Sequence, residues 1–98
     1  MNYNRWLQDT AILKKGEKKD TFGKTIFEEE KPIQVKIEEK MKLIRTATGE
    51  EIIATAVVYT SKEEDIKVGD YIGNNKVVYT TLMKDFKNRP LLREVWVK

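Results

Sequence analysis

The sequence predicts an all-β fold, a small closed or partly open antiparallel β-barrel in a single domain spanning residues 1–98, and three observations predict it. Apolar residues recur with period two along most of the chain, and the recurring residues are mainly β-branched or aromatic. Glycine, asparagine and proline interrupt these runs at short intervals, as turns between strands require. Seven or eight short strands in 98 residues leave too many open edges for a flat sheet, so closure is expected.

The elements follow in order. "TAILKK" offers a first strand and "KTIFEE" a second, separated by the lysine-rich stretch 14–24, "KKGEKKDTFGK", which reads as a long, flexible, solvated loop with Phe22 as a packing anchor at its turn. "PIQVKIE" is a third strand, entered at Pro32, with Ile33, Val35 and Ile37 on one face. Ile37, Met41 and Ile44 also line up at helical spacing, which keeps a short helical turn near residues 38–42 as a second reading. "MKLIRT" and "EEIIATAVVYT" flank "ATGE", where Gly49 supplies the positive φ of a tight hairpin turn. Gly69-Asp70 marks a turn or bulge and Asn74-Asn75 a hairpin loop. The last strand, "LLREVWVK", alternates Leu92, Glu94 and Trp96 against Leu91, Arg93, Val95 and Val97, so one of Val95 and Trp96, and one of Val77 and Tyr79 opposite, belongs to the core. The nine aromatics, Tyr3 among them, are scattered over nearly every strand, the distribution expected of core residues.

Composition narrows the chemistry. With neither cysteine nor histidine, the chain lacks disulfides, thiolate or imidazole metal ligands, and the commonest general base and nucleophile. No enzyme activity, cofactor or metal is expected. No segment approaches the roughly 20 apolar residues of a membrane-spanning helix, and the N-terminus has no apolar signal core, so a soluble, cytosolic chain without a membrane partner is expected. Nineteen basic and 16 acidic residues leave a net charge of only +3, which makes the placement of charge more informative than its sum.

The lysine-rich stretch is not a phosphate loop. Gly16 and Gly23 are seven residues apart and a strand follows, whereas that motif needs glycines five apart leading into a helix. Contiguous carboxylates on strands point to opposite faces, so the acidic runs read as solvated surface rather than as ligands for hard metals. Basic charge gathers at Lys14, Lys15, Lys18, Lys19 and Lys24 and again at Lys84, Lys87, Arg89 and Arg93. Acidic charge gathers in runs that include Glu28, Glu29, Glu30 and Glu63, Glu64, Asp65. Separate patches of opposite sign suit head-to-tail contact between identical copies. A second reading, a monomeric OB- or SH3-like module that binds nucleic acid, looks to the vicinity of Tyr71, Tyr79 and Lys76.

From end to end the chain resembles the minor capsid and head-closure proteins of tailed bacteriophages and prophages. The resemblance rests on "YNRWLQDTAIL", the "DTFGK" turn before "TIFEE", "IRTATGEEIIATAVVY", "IKVGDYI" and the closing "REVWVK". It implies a structural virion protein at the head-tail interface, made in the bacterial host cytoplasm. It implies a homo-oligomeric ring of six or twelve copies beneath the portal, meeting portal or adaptor and tail proteins and touching packaged DNA non-specifically. In such a ring the five lysines of residues 14–24 form a collar that contacts either DNA or the acidic patches of the next subunit.

Overall fold

The computed structural model describes residues 6–98. Tyr3, counted above among the core aromatics, lies outside them. Six strands form: β1 (Asp9–Lys19), β2 (Thr25–Arg45), β3 (Glu51–Ser61), β4 (Tyr71–Ile72), β5 (Asn75–Lys84) and β6 (Pro90–Val97). Every neighbouring pair is antiparallel, and the order β1-β2-β3-β6-β5-β4 returns to β1, so the sheet closes on itself.

Six strands appear where seven or eight are expected because three runs fuse. "KTIFEE", "PIQVKIE" and "MKLIRT" make one strand of 21 residues, β2. Its first half pairs with β1, from Lys19↔Thr25 to Asp9↔Val35, and its second half pairs with β3, from Val35↔Thr60 to Arg45↔Glu51. Pro32 sits in the first half, where β1 is the only described neighbour, so its missing N–H need not interrupt a second ladder. No helical turn occurs at 38–42. Glu39 pairs with Ala56 and Lys42 with Ala54, so Lys40 and Met41 together face Thr55 alone, a β-bulge that bends the pair.

The expected flexible loop is corrected in the same way. Lys14–Lys19 belong to β1 and pair with residues 25–30 of β2, and only 20–24 form a turn. High polarity alone suggests a loop. Strand pairing, however, sets Lys14 opposite Glu30 and Lys15 opposite Glu29, and cross-strand opposite charges support a ladder. Gly16 lies mid-strand with a φ of 72°, and a Cβ built there would meet the Glu28 Cβ at 2.9 Å, so this position accepts little but glycine.

One turn design recurs three times. In each, the fourth residue donates its N–H to the first residue's carbonyl and the first donates to the fifth's: Asp20–Lys24, Thr46–Glu50 and Asp85–Arg89. The fourth position is left-handed each time, at Gly23, Gly49 and Asn88, the three-residue hairpin loop with a positive-φ residue. Asp20 and Asp85 each add a carboxylate oxygen that accepts two backbone N–H groups, from Phe22 and Lys24 and from Lys87 and Arg89, at 2.8–2.9 Å. The β4–β5 turn is Gly73-Asn74, one residue before the expected Asn74-Asn75.

The core has two parts. Inside the ring, Leu13, Ile33, Val35, Val58, Ile72, Val77, Val95 and Val97 pack around Ile66, which the β3–β4 connection contributes. A second cluster joins Ile44, Ala54, Val57 and Trp96. The alternation expected of the last strand is therefore corrected: Val95, Trp96 and Val97 are all buried, because both faces of β6 are covered. Val77 and Tyr79 part for another reason. The register shifts between them, Val77↔Val97 and Tyr79↔Trp96, leaving Val77 inside and Tyr79 on the surface.

Closure is limited to a belt. Only Leu13 and Lys14 of β1 pair with β4, and only Ala56–Ser61 of β3 pair with β6. Beyond the belt two hairpin arms continue, and they account for the elongated extents of 49 × 32 × 22 Å. Among the described residues no helix is long and apolar enough to cross a membrane.

Candidate functional site

The exposed apolar groups gather mainly at the two ends of the belt, on the arms and on the β5–β6 turn. β1 and β5 are each antiparallel to β4 and hence run parallel, so the β1–β2 and β5–β6 turns leave the same end of the belt. β2 runs the other way, and the β2–β3 turn leaves the opposite end.

At the first end, the lysines singled out in the sequence are largely engaged within the chain. Lys15 Nζ donates to Asp70 Oδ2 at 2.6 Å, both side chains being mostly buried, and the same carboxylate oxygen accepts the Lys67 N–H at 2.9 Å. Lys14 Nζ stands 5.4 Å from the Phe27 ring, and Phe27 in turn meets Tyr71 edge-on at 5.2 Å. Lys18 pairs with Glu28 at 3.6 Å, and Lys19 donates to Thr25 Oγ1 at 2.5 Å. Lys24 is exposed in the turn. The acidic residues are divided too. Glu64 pairs with Lys31 at 3.1 Å, Glu29 and Glu30 lie across from Lys15 and Lys14, and Glu63 and Asp65 sit exposed on the β3–β4 connection.

In the second basic cluster the two arginines are tied down, while Lys84 and Lys87 are exposed, with Lys87 Nζ 5.8 Å from the Phe86 ring. Arg89 Nε donates to Asp85 Oδ2 at 2.8 Å, and Arg93 Nε donates to the Glu64 carbonyl at 2.8 Å. The hydrogen bond from the Arg89 backbone N–H above all, with those from the Arg89 side chain and the Lys87 backbone, holds the Asp85 carboxyl below its ordinary range against the opposing effect of desolvation.

What remains at this end is aromatic. Phe22 and Phe86 sit on the two turns with 93% and 94% of their surface exposed. Phe22 is thus corrected from packing anchor to projecting side chain, and the general expectation that the aromatics are core fails for both residues. Their turns hold them up on fixed backbone, since each is pinned by an aspartate at its first position.

The opposite end carries Ile37, Met41, Leu43 and Ile53, exposed on the β2–β3 arm. Ile37, Met41 and Ala56, with Glu39, Lys40, Thr55 and Asn75, line an open cleft of about 600 Å³. The other side of this arm folds against β6: Lys42 Nζ lies 4.9 Å from the Trp96 ring and 5.7 Å from that of Tyr79. Trp96 Nε1 donates to Glu94 Oε1 at 2.6 Å. Burial, with Glu38 and Glu94 nearby, pushes the Tyr59 hydroxyl above its ordinary pKa, and the Trp6 ring meets that of Tyr59 at 5.0 Å, tilted by 49°.

The sequence reading missed Asp70, Lys31 and Lys42, whose partners are distant in the chain, and it missed the exposure of Phe22 and Phe86. The second was within reach: "DTFG" and "DFKN" both place a phenylalanine inside a three-residue loop, where no neighbouring strand can cover it. Among the described residues no cluster of three or more carboxylates could hold a metal ion. Compared with family models, with curated proteins and with solved structures, the chain matches none.

Proposed function

We propose that the protein is a structural assembly subunit, a head-closure or head-tail connector of a tailed-phage or prophage particle. In this role it forms a ring below the portal, joins head to tail and helps retain packaged DNA. The observation that carries the reading is the pair of arms. They extend past the closed belt in opposite directions, their outer edges have no described strand beside them, and they present exposed apolar side chains. Unpaired strand edges and apolar projections are costly in an isolated chain and useful in one that meets neighbours. The virion location and the portal, adaptor and tail partners come from the sequence resemblance.

The nucleic-acid module is the weaker reading, because Tyr71 packs edge-on against Phe27, Tyr79 lies beside Lys42 of the other arm, and Lys14, Lys15 and Lys18 lie against aromatic or acidic groups of their own chain. Deleting the coding sequence from the phage or prophage that carries it tests the proposal. The expected result is filled heads that leak DNA and do not join tails, with joining restored by the supplied chain. Normal, infectious particles from the deletion would sink it. Tight, salt-sensitive DNA binding by the purified chain would favour the other reading.

A further inference from the structure

We infer that the free edge of β5, from Val78 to Met83, is a self-pairing surface on which a second copy of this chain adds its own β5, antiparallel and about a two-fold axis at Thr81. The inference goes beyond the head-closure reading and does not depend on it. β4 covers only the start of β5: Tyr71 pairs with Lys76 and Ile72 with Asn75, and Val77 accepts from the Gly69 N–H and donates to the Asp70 carbonyl. From Val78 onward no described strand lies on the side away from β6, and no described turn or loop backbone bonds to this edge. The edge also lacks a guard. Open strand edges are ordinarily protected by charge, proline or bulges. Beyond the seam β1 carries Lys15, Glu17, Lys18 and Lys19; β2 carries Glu28 to Lys31 and Pro32 where β3 is absent, and the bulge at Lys40 and Met41 where β1 is absent. The free edge of β3 is five residues long and opens with Glu51. Val77–Met83, "VVYTTLM", has no charge, glycine or proline in a chain that is 36% charged, and it is mostly β-branched or aromatic, the composition that pairs strand to strand.

The occupant is a second β5 because the edge is complementary to itself. With the axis at Thr81, Tyr79 stands opposite the partner's Met83, Thr80 opposite the partner's Leu82, and the two threonines at 81 opposite each other, all on shared faces. Tyr79 and Met83 are the exposed large apolar residues of β5, at 40% and 37%, and this register sets each thioether beside an aromatic ring twice over. No like charges meet: Lys84 falls opposite the partner's Val78, and Arg93 and Glu94 lie on β6, one strand further from the axis. An axis at Thr80 would set Tyr79 against Thr81, and one at Leu82 would set it against Asp85. Because both copies use the same edge, the pairing closes at two.

The chain contains no cysteine, which makes the test direct. Tyr79→Cys, Thr81→Cys and Met83→Cys chains are oxidised alone and in mixtures, beside light scattering of the wild-type chain up to about 1 mM, the weak end of specific association. Residues directly opposite in an antiparallel pair have Cα atoms about 4.5–5.5 Å apart, within disulfide reach. Thr81→Cys should therefore link to itself, and the mixture of Tyr79→Cys with Met83→Cys should give at least about tenfold more dimer than either alone. Thr81→Lys supplies a second readout. Glu94 stands opposite residue 81 on β6 and gives the new ammonium a partner, so the variant should fold. Its two lysines face each other across the axis and should raise the self-association Kd at least about fivefold. A wild-type chain that stays monomeric at the highest concentration overturns the inference. Association that survives Thr81→Lys unchanged, with no Thr81→Cys cross-link, overturns it too, moving the contact to another surface and leaving the head-closure reading as it was. Tyr79→Cys that links to itself more than to Met83→Cys is the sign of parallel, in-register stacking and overturns the two-fold pair. The cross-links decide the matter even where Thr81→Lys melts low.

Discussion

The two hairpin arms are built from one long strand and differ in almost everything but their turns. The first arm, β1 with the start of β2, is charged on both faces, pairs lysine with glutamate across the ladder, and lies open to solvent. The second, the rest of β2 with β3, is bulged, buries Ile44 and Ala54 against Trp96, and exposes a different apolar set outward. A backbone ladder alone therefore suffices to shape an arm. Whether the arm docks onto its own chain is decided by the residues on one face and by a bulge that aims them.

Replacing Trp96 with alanine should break the docked arm most severely, at about 3–5 kcal/mol by chemical denaturation, the usual cost of deleting a large buried aromatic. Met41→Ala, exposed on the same arm, should stay within about 0.5 kcal/mol. Equal effects would mean that the second cluster does not contribute to stability. Gly16→Val tests the solvated arm. It must adopt a positive φ and move Glu28, which costs about 1–3 kcal/mol locally. Amide exchange should speed up between residues 14 and 30 and stay unchanged at Val58 and Val95.

The junction of arm and belt lies between these cases. A double-mutant cycle on Lys15→Met and Asp70→Asn should give a coupling above the 0–1 kcal/mol of an exposed pair and below the 3–5 kcal/mol lost on breaking a buried one, since both side chains are mostly but not wholly buried. The same cycle on Lys18 and Glu28, both exposed, should give about 0–0.5 kcal/mol. A larger coupling there would show the solvated arm to be more rigid than its exposure implies.

The smallest effect is pH-dependent and local to the β5–β6 turn. The Asp85 carboxyl titrates below its ordinary value near 3.8 in the folded chain, so the unfolded turn binds the proton more readily. Its stabilisation is present above that ordinary value and is lost as pH falls through the lower, folded one. Exchange of the Lys87 and Arg89 amides, corrected for intrinsic rates, should rise on acidification below about pH 4, and Asp85→Asn should remove most of that dependence.

Much of the ring was legible in the sequence. Period-two runs gave the strands, and "ATGE" gave the turn at Gly49 with its positive φ. Residues 14–24 were misread because the partners that make a strand of them, Glu28 to Glu30 in β2 and Asp70 near β4, act across the sheet, where local polarity says nothing. Trp96 was assigned one face of a simple alternation because the bulge at Lys40 and Met41, which brings Ile44 over β6, leaves no composition signal. Of the candidate site, the charged residues were identified but their partners were not, and the exposed phenylalanines were counted as core.

The belt is sealed by very little. β4 contributes two residues, and its junction with β1 consists of Leu13↔Ile72 and Lys14↔Tyr71 beside the Lys15–Asp70 bond and a hydrogen bond from the Gly73 N–H to the Ile12 carbonyl at 2.8 Å. The hairpins β1–β2, β2–β3 and β5–β6 join neighbours along the chain across three-residue loops, whereas the β1–β4 seam joins residues nearly 60 positions apart. Loop closure must precede any gain from such distant pairing. On that argument the hairpins should condense before the seam, a sequence that pulsed amide exchange during refolding would show. The same seam should be the first ladder to part in the native chain, opening the ring to a curved sheet with its arms intact, and faster amide exchange at Ile72 than at Val58 is the result expected.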